Sequence, residues 1–313
     1  MQAKEGEVTL ADGRSLGYME GGSPEGLPIF YFHGFPGSRK EALLLCGDSS
    51  MPDCSAPFSS ENSEVPGYAP VWRIFAVDRP GMGISDFQTN RTLRDWPRDV
   101  GELADRLGIG RFTIVGVSGG GPYALACAWA MPERVICAGI ACGPAQLDEQ
   151  EMITRIGAAN RTAFKLLKHF PGLGKPSYAT FAFFLKHWPL MILDSQSHSL
   201  PPSDRDVLRN PQVRDALTNS FMDSVRQGSA GGAQELKILC NPWNFNLAEI
   251  TIPVALWHGE LDTIVPVAMG RQIASQFSTC RASFFQEDGH YSLLVNHRDT
   301  IMGDLREMTE EGL

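Results

Sequence analysis

The sequence predicts an α/β protein in which helices cover both faces of a mostly parallel sheet and a helical cap is inserted in the chain. The first observation is that short apolar runs alternate with amphipathic helical patterns after an initial hairpin. The second is that residues 146–248, roughly a hundred positions, have helical periodicity and no convincing strand. The chain therefore divides into a core, residues 1–145 and 249–313, and a cap, residues 146–248.

Eight short apolar or alternating runs predict the strands of the core. They cover residues 6–10, 15–20, 28–32, 73–77, 112–117, 135–141, 253–258 and 282–286. Two helices are predicted between the later strands. Residues 95–107 place Val100, Leu103 and Leu107 on one face, and residues 122–130 form an alanine-rich pattern.

Two segments interrupt the alternation of strands and helices. Residues 46–70 are rich in Ser, Pro, Asp and Glu and have little periodicity, which predicts a long irregular loop or short lid inserted between two strands. The predicted cap contains an aromatic-rich run, residues 178–188. We expect this run to form the interior of the cap, although some of its side chains could face a pocket.

Composition excludes several classes of protein. The chain has 313 residues, 43% of them hydrophobic and 20% charged, which is typical of a soluble globular protein and unlike disordered or fibrous chains. The net charge of −9 disfavours binding to duplex nucleic acid and favours a small-molecule substrate. No apolar run approaches the ~20 residues of a membrane span, and the first nine residues are charged rather than apolar, so we expect no membrane association and a cytoplasmic location.

No cofactor or metal is predicted from the sequence. The seven cysteines are an odd number, and none forms a Cys-x-x-Cys pair or lies near a histidine at metal-ligand spacing. Gly81-Met82-Gly83 is too short for a dinucleotide fingerprint, and the chain has no Gly-x-x-x-x-Gly-Lys phosphate loop.

The strongest motif is Gly116-Val117-Ser118-Gly119-Gly120, which follows one predicted strand and precedes a predicted helix. A serine in such a sharp turn needs glycines on both sides, because the backbones approach closely. The N-terminus of the following helix favours negative charge developing nearby. Ser118 is therefore a candidate nucleophile, and the alternative is an ordinary turn serine.

A nucleophilic serine requires a histidine that accepts its proton and an acid that orients the histidine. Asp262 and His290 each follow a later predicted strand, at the sheet edge where parallel strands place an active site. Glu260 and Asp288 compete with Asp262 for the role of the acid. Asp288 is two residues from His290 and is poorly placed to orient it, and Glu260 lies earlier in its loop, so Asp262 is preferred.

A tetrahedral intermediate also requires two backbone N–H donors for its oxyanion. One candidate is Gly119, directly after the serine, and the other is Phe35 in the loop His33-Gly34-Phe35-Pro36-Gly37. We expect His33 to fix this loop by hydrogen bonding rather than to take part in the chemistry.

Taken in order, these four motifs resemble the α/β-hydrolase superfamily, in its cap-bearing branch of esterases, lactonases, carbon–carbon bond hydrolases and epoxide hydrolases. The resemblance covers residues 6–145 and 249–310. It implies an eight-stranded sheet, a Ser118–Asp262–His290 triad and an oxyanion hole at Phe35 and Gly119.

Because epoxide hydrolases and haloalkane dehalogenases carry an aspartate in place of Ser118, the implied activity is hydrolysis of an ester, lactone or related acyl bond of a small, apolar substrate. Two other classes remain open, since this fold supports several chemistries. One is a lyase, cyclase, decarboxylating or carbon–carbon bond-cleaving enzyme that uses His290 as a base. The other is a binding protein that senses a ligand in the same pocket.

Overall fold

The computed structural model describes residues 3–46, 72–146 and 174–313. The eight predicted strands are confirmed, with boundaries that shift by at most two residues. They are β1 Lys4–Thr9, β2 Ser15–Gly22, β3 Leu27–Phe32, β4 Trp72–Val77, β5 Phe112–Val117, β6 Val135–Ala141, β7 Val254–Gly259 and β8 Cys280–Phe285.

All eight strands join one sheet in the order β1-β2-β4-β3-β5-β6-β7-β8. The strand β2 pairs antiparallel with β1 and β4, and every other neighbouring pair is parallel. Every residue of β5, β6 and β7 is buried, which explains why these strands are continuous apolar runs rather than alternating ones. The predicted mostly parallel sheet is therefore correct.

Helices cover both faces of the sheet. They are α1 Trp96–Arg106, α2 Gly121–Ala130, α8 Val267–Ser275 and α9 His290–Gly312 in the core, and α3 Gly174–His187, α4 Pro189–Ser197, α5 Pro202–Val207, α6 Pro211–Ser224 and α7 Ala230–Leu239 in the predicted cap. Alternate residues of β3 enter two apolar clusters. Phe30 and Phe32 pack with α1, α2 and α8, whereas Ile29 and Tyr31 pack with α9 and the cap helices.

The part of the predicted cap that the structure describes, residues 174–248, contains helices and no strand. The aromatic-rich run divides between interior and surface. Tyr178 and Leu185 are buried, whereas Phe183 and Trp188 are 53% and 49% exposed. The run therefore forms the interior of the cap only in part, and the boundaries of the cap stay a prediction.

A buried arginine joins α6 to the core. Arg39 lies in a 3₁₀ helix, Arg39–Cys46, that follows the loop after β3. Its guanidinium is 2.6 Å from the carboxylate of Asp78 in the core and 2.6 Å from that of Asp223 on α6, and all three side chains are at least 95% buried. Because a buried charge is costly without a partner, this ion pair favours close attachment of α6.

A second buried cluster joins α7 to the core. Glu235 on α7 is fully buried and lies between Arg79, 2.8 Å away, and Arg91, 2.5 Å away. The two backbones also approach closely here, since a Cβ atom at Gly231 on α7 would lie 2.2 Å from the carbonyl oxygen of Gly81. The charges of Arg79 and Arg91 outweigh burial and hold the pKa of Glu235 below its ordinary value.

The predicted insertion at residues 46–70 lies outside the described residues except for Cys46, which ends the 3₁₀ helix. Among the helices that the structure describes, none combines the length and the hydropathy needed to traverse a bilayer.

Candidate active site

Ser118 lies in the turn between β5 and α2, with a backbone φ of +50° that non-glycine residues seldom adopt. The flanking glycines are sterically required. A Cβ atom at Gly116 would lie 2.3 Å from the carbonyl oxygen of Gly120, and one at Gly120 would lie 2.1 Å from that of Phe32. The turn therefore projects the partly exposed Ser118 side chain from the carboxyl edge of the sheet.

The structure brings the three residues of the predicted triad together. His290 Nε2 is 3.0 Å from Ser118 Oγ, and His290 Nδ1 is 2.7 Å from Asp262 Oδ2. The other oxygen of Asp262 accepts the backbone N–H groups of Ile264 and Val265, both at 2.8 Å. Asp262 is thus fixed by its own loop while it holds the ring of His290.

The charges around His290 favour proton transfer from Ser118 to its ring. Burial lowers the pKa of His290, but the charge and hydrogen bond of Asp262, with further contributions from Asp204 and Glu41, outweigh burial and raise it above the ordinary value. Burial raises the pKa of Asp262, and the charge and hydrogen bond of His290 outweigh it, so the net pKa is lowered. Asp262 is therefore ionised when His290 gains a proton.

The two competing acids contact other partners. Glu260 forms an ion pair with Arg271. Asp288 accepts from Asn296 Nδ2 at 2.9 Å and is 2.7 Å from the ring of His297. These contacts favour Asp262 as the residue that orients His290.

The loops that carry the predicted oxyanion donors are in contact. A Cβ atom at Gly119 would lie 2.8 Å from Cβ and 3.2 Å from the backbone nitrogen of Phe35, so only glycine allows this approach. The two backbone nitrogens therefore lie on adjoining loops beside Ser118, although their role as oxyanion donors stays a prediction.

His33 fixes the loop that contains Phe35. Its Nδ1 is 2.8 Å from the carbonyl oxygen of Gly34, and its Nε2 accepts the backbone N–H of Arg79 at 3.3 Å. The guanidinium of Arg79 donates to the carbonyl oxygens of His33 and Gly34. Burial, together with the charge of Arg79, holds the pKa of His33 well below its ordinary value, so the ring is neutral and orients the loop.

Asp204, which sequence reasoning did not single out, joins the cap to His290. This fully buried residue of α5 accepts the backbone N–H groups of His290, Tyr291 and Ser292 at 2.9, 3.0 and 2.8 Å. The first N–H groups of a helix lack partners within it, and a carboxylate there is favourable. In the sequence Asp204 is only part of a Pro-Pro-Ser-Asp helix start, and nothing local indicates a partner 86 residues away.

Ser118 and His290 border a cavity of about 700 Å³ between the sheet edge and the cap. The cavity is mostly apolar and has a few polar groups, as is usual for sites that bind small molecules. Its apolar walls include Leu185, Leu200, Leu217, Phe221 and Leu294.

Cys142, Asp262 and His290 form the group in the described part of the chain that could hold a metal ion, since their ligand atoms lie within 4.8 Å of one another. The ligand atoms of Asp262 and His290 already bond to each other. Burial raises the pKa of the Cys142 thiol well above its ordinary value, which disfavours the thiolate that a metal requires. This group therefore fits the hydrogen-bonded arrangement better than a metal centre.

The comparisons with known proteins give one family and several relatives. A profile of the family described as alpha/beta hydrolase fold matches residues 28–297. A proline iminopeptidase of Neisseria gonorrhoeae is 28% identical over 133 residues, a segment that spans 42% of this chain and only 37% of that relative. A Bacillus subtilis (strain 168) relative with a provisional name, 2-succinyl-6-hydroxy-2,4-cyclohexadiene-1-carboxylate synthase, is 24% identical over 292 residues, 90% of each chain.

Among solved structures, a thermophilic esterase from Thermogutta terrifontis superimposes with a TM-score of 0.68 at 18% identity. The match covers 98% of this chain and 99% of that one. At this level of identity the likeness shows a common fold.

Proposed function

This chain belongs to the α/β hydrolase fold family, and from that premise we propose that it is a serine hydrolase that cleaves an ester, lactone or related acyl bond of a small, largely apolar substrate. The observation that carries the proposal is the continuous hydrogen-bonded chain from Ser118 Oγ through His290 to Asp262. The apolar cavity above Ser118 supports an apolar substrate.

In the proposed mechanism Ser118 Oγ attacks the carbonyl carbon while His290 Nε2 accepts its proton. Asp262 stabilises the imidazolium, and the backbone N–H groups of Phe35 and Gly119 receive the oxyanion. His290 then returns the proton to the leaving group as the tetrahedral intermediate collapses to an acyl-enzyme. A water molecule activated by His290 hydrolyses the acyl-enzyme and regenerates the serine.

A fluorophosphonate probe tests the nucleophile directly. We expect rapid covalent labelling of the protein, loss of labelling in Ser118→Ala, and unchanged labelling in the control Ser275→Ala, since Ser275 is exposed on α8. Labelling is read by mass spectrometry of the intact protein. Labelling that persists in Ser118→Ala would refute the assignment.

A second candidate function rests on the Bacillus subtilis relative, whose provisional name is that of a synthase and whose match covers 90% of each chain. In that class His290 acts as a base and Ser118 forms no acyl-enzyme. Turnover of a substrate by Ser118→Ala would favour this class over hydrolysis.

The proposed role of His290 predicts a defined pH profile. Only the neutral ring accepts the serine proton, so kcat/KM rises as His290 loses its proton. Because the pKa of His290 is raised from 6.5, the midpoint of the rise is expected above pH 6.5. The check is kcat/KM for an uncharged ester over roughly pH 5 to 9. Asp262→Asn should move the midpoint down, since it removes the charge that raises the pKa, and a flat profile would contradict the assignment.

A further inference from the structure

One buried carboxyl group in the cavity is unused by the proposed mechanism. Glu41 lies in the 3₁₀ helix Arg39–Cys46, is 5% exposed and lines the cavity. Its Oε1 accepts the hydroxyl of Tyr31 and the backbone N–H of Gly34, both at 2.8 Å. No donor among the described residues, 3–46, 72–146 and 174–313, bonds to its Oε2.

The second oxygen of Glu41 lies close to the candidate nucleophile. A Cβ atom at Gly34 would be 3.1 Å from Glu41 Oε2 and 3.3 Å from Ser118 Cβ. The separation between Oε2 and Ser118 Cβ therefore cannot exceed the sum of these two distances. A group held by Oε2 would be beside the bond that Ser118 attacks.

The described residues that line the cavity give Glu41 no permanently charged counterion. Among the described residues that line it, Glu41 carries the only carboxyl group, and none is a lysine or an arginine. Burial raises the pKa of Glu41, and the hydrogen bonds from the Gly34 N–H and the Tyr31 hydroxyl, with the charges of Arg79 and His290, offset this only in part. A buried carboxylate is costly without a cation in contact, and a cation brought by the ligand would stabilise its ionised form.

We propose that Glu41 binds an ammonium group on the acyl side of the substrate, which makes this enzyme selective for α-aminoacyl esters or amides. The inference rests on the proposed serine hydrolase function and specifies its substrate class. In such a substrate the ammonium nitrogen is one carbon from the scissile carbonyl. This spacing lets the nitrogen contact Glu41 Oε2 while the carbonyl carbon contacts Ser118 Oγ, and the apolar walls receive the side chain or the leaving group.

A matched pair of substrates tests the proposal. Alanine benzyl ester and isobutyric acid benzyl ester differ by an ammonium group in place of a methyl group and have nearly the same shape. We expect the native protein to favour the alanine ester in kcat/KM by at least about tenfold, at a pH that keeps its amine protonated, because hydrogen bonds to charged groups are the stronger ones. In Glu41→Gln this ratio should fall by about tenfold, since the amide cannot pair with a cation.

The control variant is Glu133→Gln, which makes the same change of charge at an exposed turn outside the cavity. It should leave the ratio unaltered. A ratio at or below one in the native protein, or a ratio that Glu41→Gln does not change, would overturn the proposal.

A binding measurement separates this inference from the proposed catalytic function. In Ser118→Ala, calorimetry should show at least about tenfold tighter binding of the alanine ester than of the isobutyric ester, a preference that a further Glu41→Gln change removes. If the fluorophosphonate probe fails to label Ser118 while this preference is present, the catalytic assignment fails and the ammonium site stands. If Ser118 is labelled and the preference is missing, the ammonium site alone is wrong.

Discussion

Replacing Ser118 by alanine is expected to lower kcat/KM for ester substrates by about a thousandfold or more. The change removes the hydroxyl that lies 3.0 Å from His290 Nε2, and no acyl-enzyme can form without it. The measurement is hydrolysis of chromogenic esters of graded chain length, together with thermal unfolding, which should be nearly unaltered because the side chain is small and partly exposed.

The controls for this prediction are a remote serine and a double variant. Ser275→Ala should retain the activity of the native protein, since Ser275 is exposed and its hydroxyl donates to the carbonyl oxygen of Gln272 on α8. Combining Ser118→Ala with His290→Ala should add little further loss, because residues that act as a unit are strongly non-additive. If the fold losses in kcat/KM of the two single variants multiplied in the double variant, Ser118 and His290 would not act as a unit.

The second large effect is expected for stability. Glu235→Ala leaves Arg79 and Arg91 buried without their shared counterion and should lower the free energy of unfolding by about 3–5 kcal/mol. Arg91 retains the hydroxyl of Tyr123 at 2.6 Å, which offsets only part of the loss. Chemical denaturation followed by circular dichroism measures the change.

The matched control is Glu310→Ala, which removes a surface partner of Arg306 that is 53% exposed. An exposed pair of this kind contributes about 0.5 kcal/mol. Equal losses in the two variants would mean that burial of Glu235 does not strengthen its contacts.

The fold could be predicted because the signals for its strands and turns lie in short stretches of the sequence. Strands β5 and β6 were predicted to the residue, since a strand buried on both faces is a continuous apolar run that ends at turn residues. Ser118 was identifiable for a related reason, because the close backbone contacts of its turn admit only glycine at two nearby positions. The order of the motifs along the chain then limited the candidates for the acid to Glu260, Asp262 and Asp288, and it pointed to His290 as the histidine.

The contributions of Asp204 and Glu235 could not be predicted in this way. Asp204 contacts backbone groups 86 to 88 positions away, and Glu235 pairs with Arg91, 144 positions away. Contacts between residues so far apart produce no hydrophobic periodicity and no characteristic motif spacing in the sequence. They depend on how the cap helices dock onto the sheet, which the amphipathic pattern of each helix does not specify.

The buried attachments at Asp204, Asp223 and Glu235 restrict how the protein can be re-engineered. Replacing the predicted cap with one from another protein would remove the acceptor for three amide groups at the start of α9, and each of the buried guanidinium groups of Arg39, Arg79 and Arg91 would lose one carboxylate partner. We therefore expect such a chimera to fold and to be active only when the grafted segment carries acidic residues at the positions of Asp204, Asp223 and Glu235. In recombination of this chain with another hydrolase, the predicted cap and α9, which begins at His290, should therefore be exchanged together.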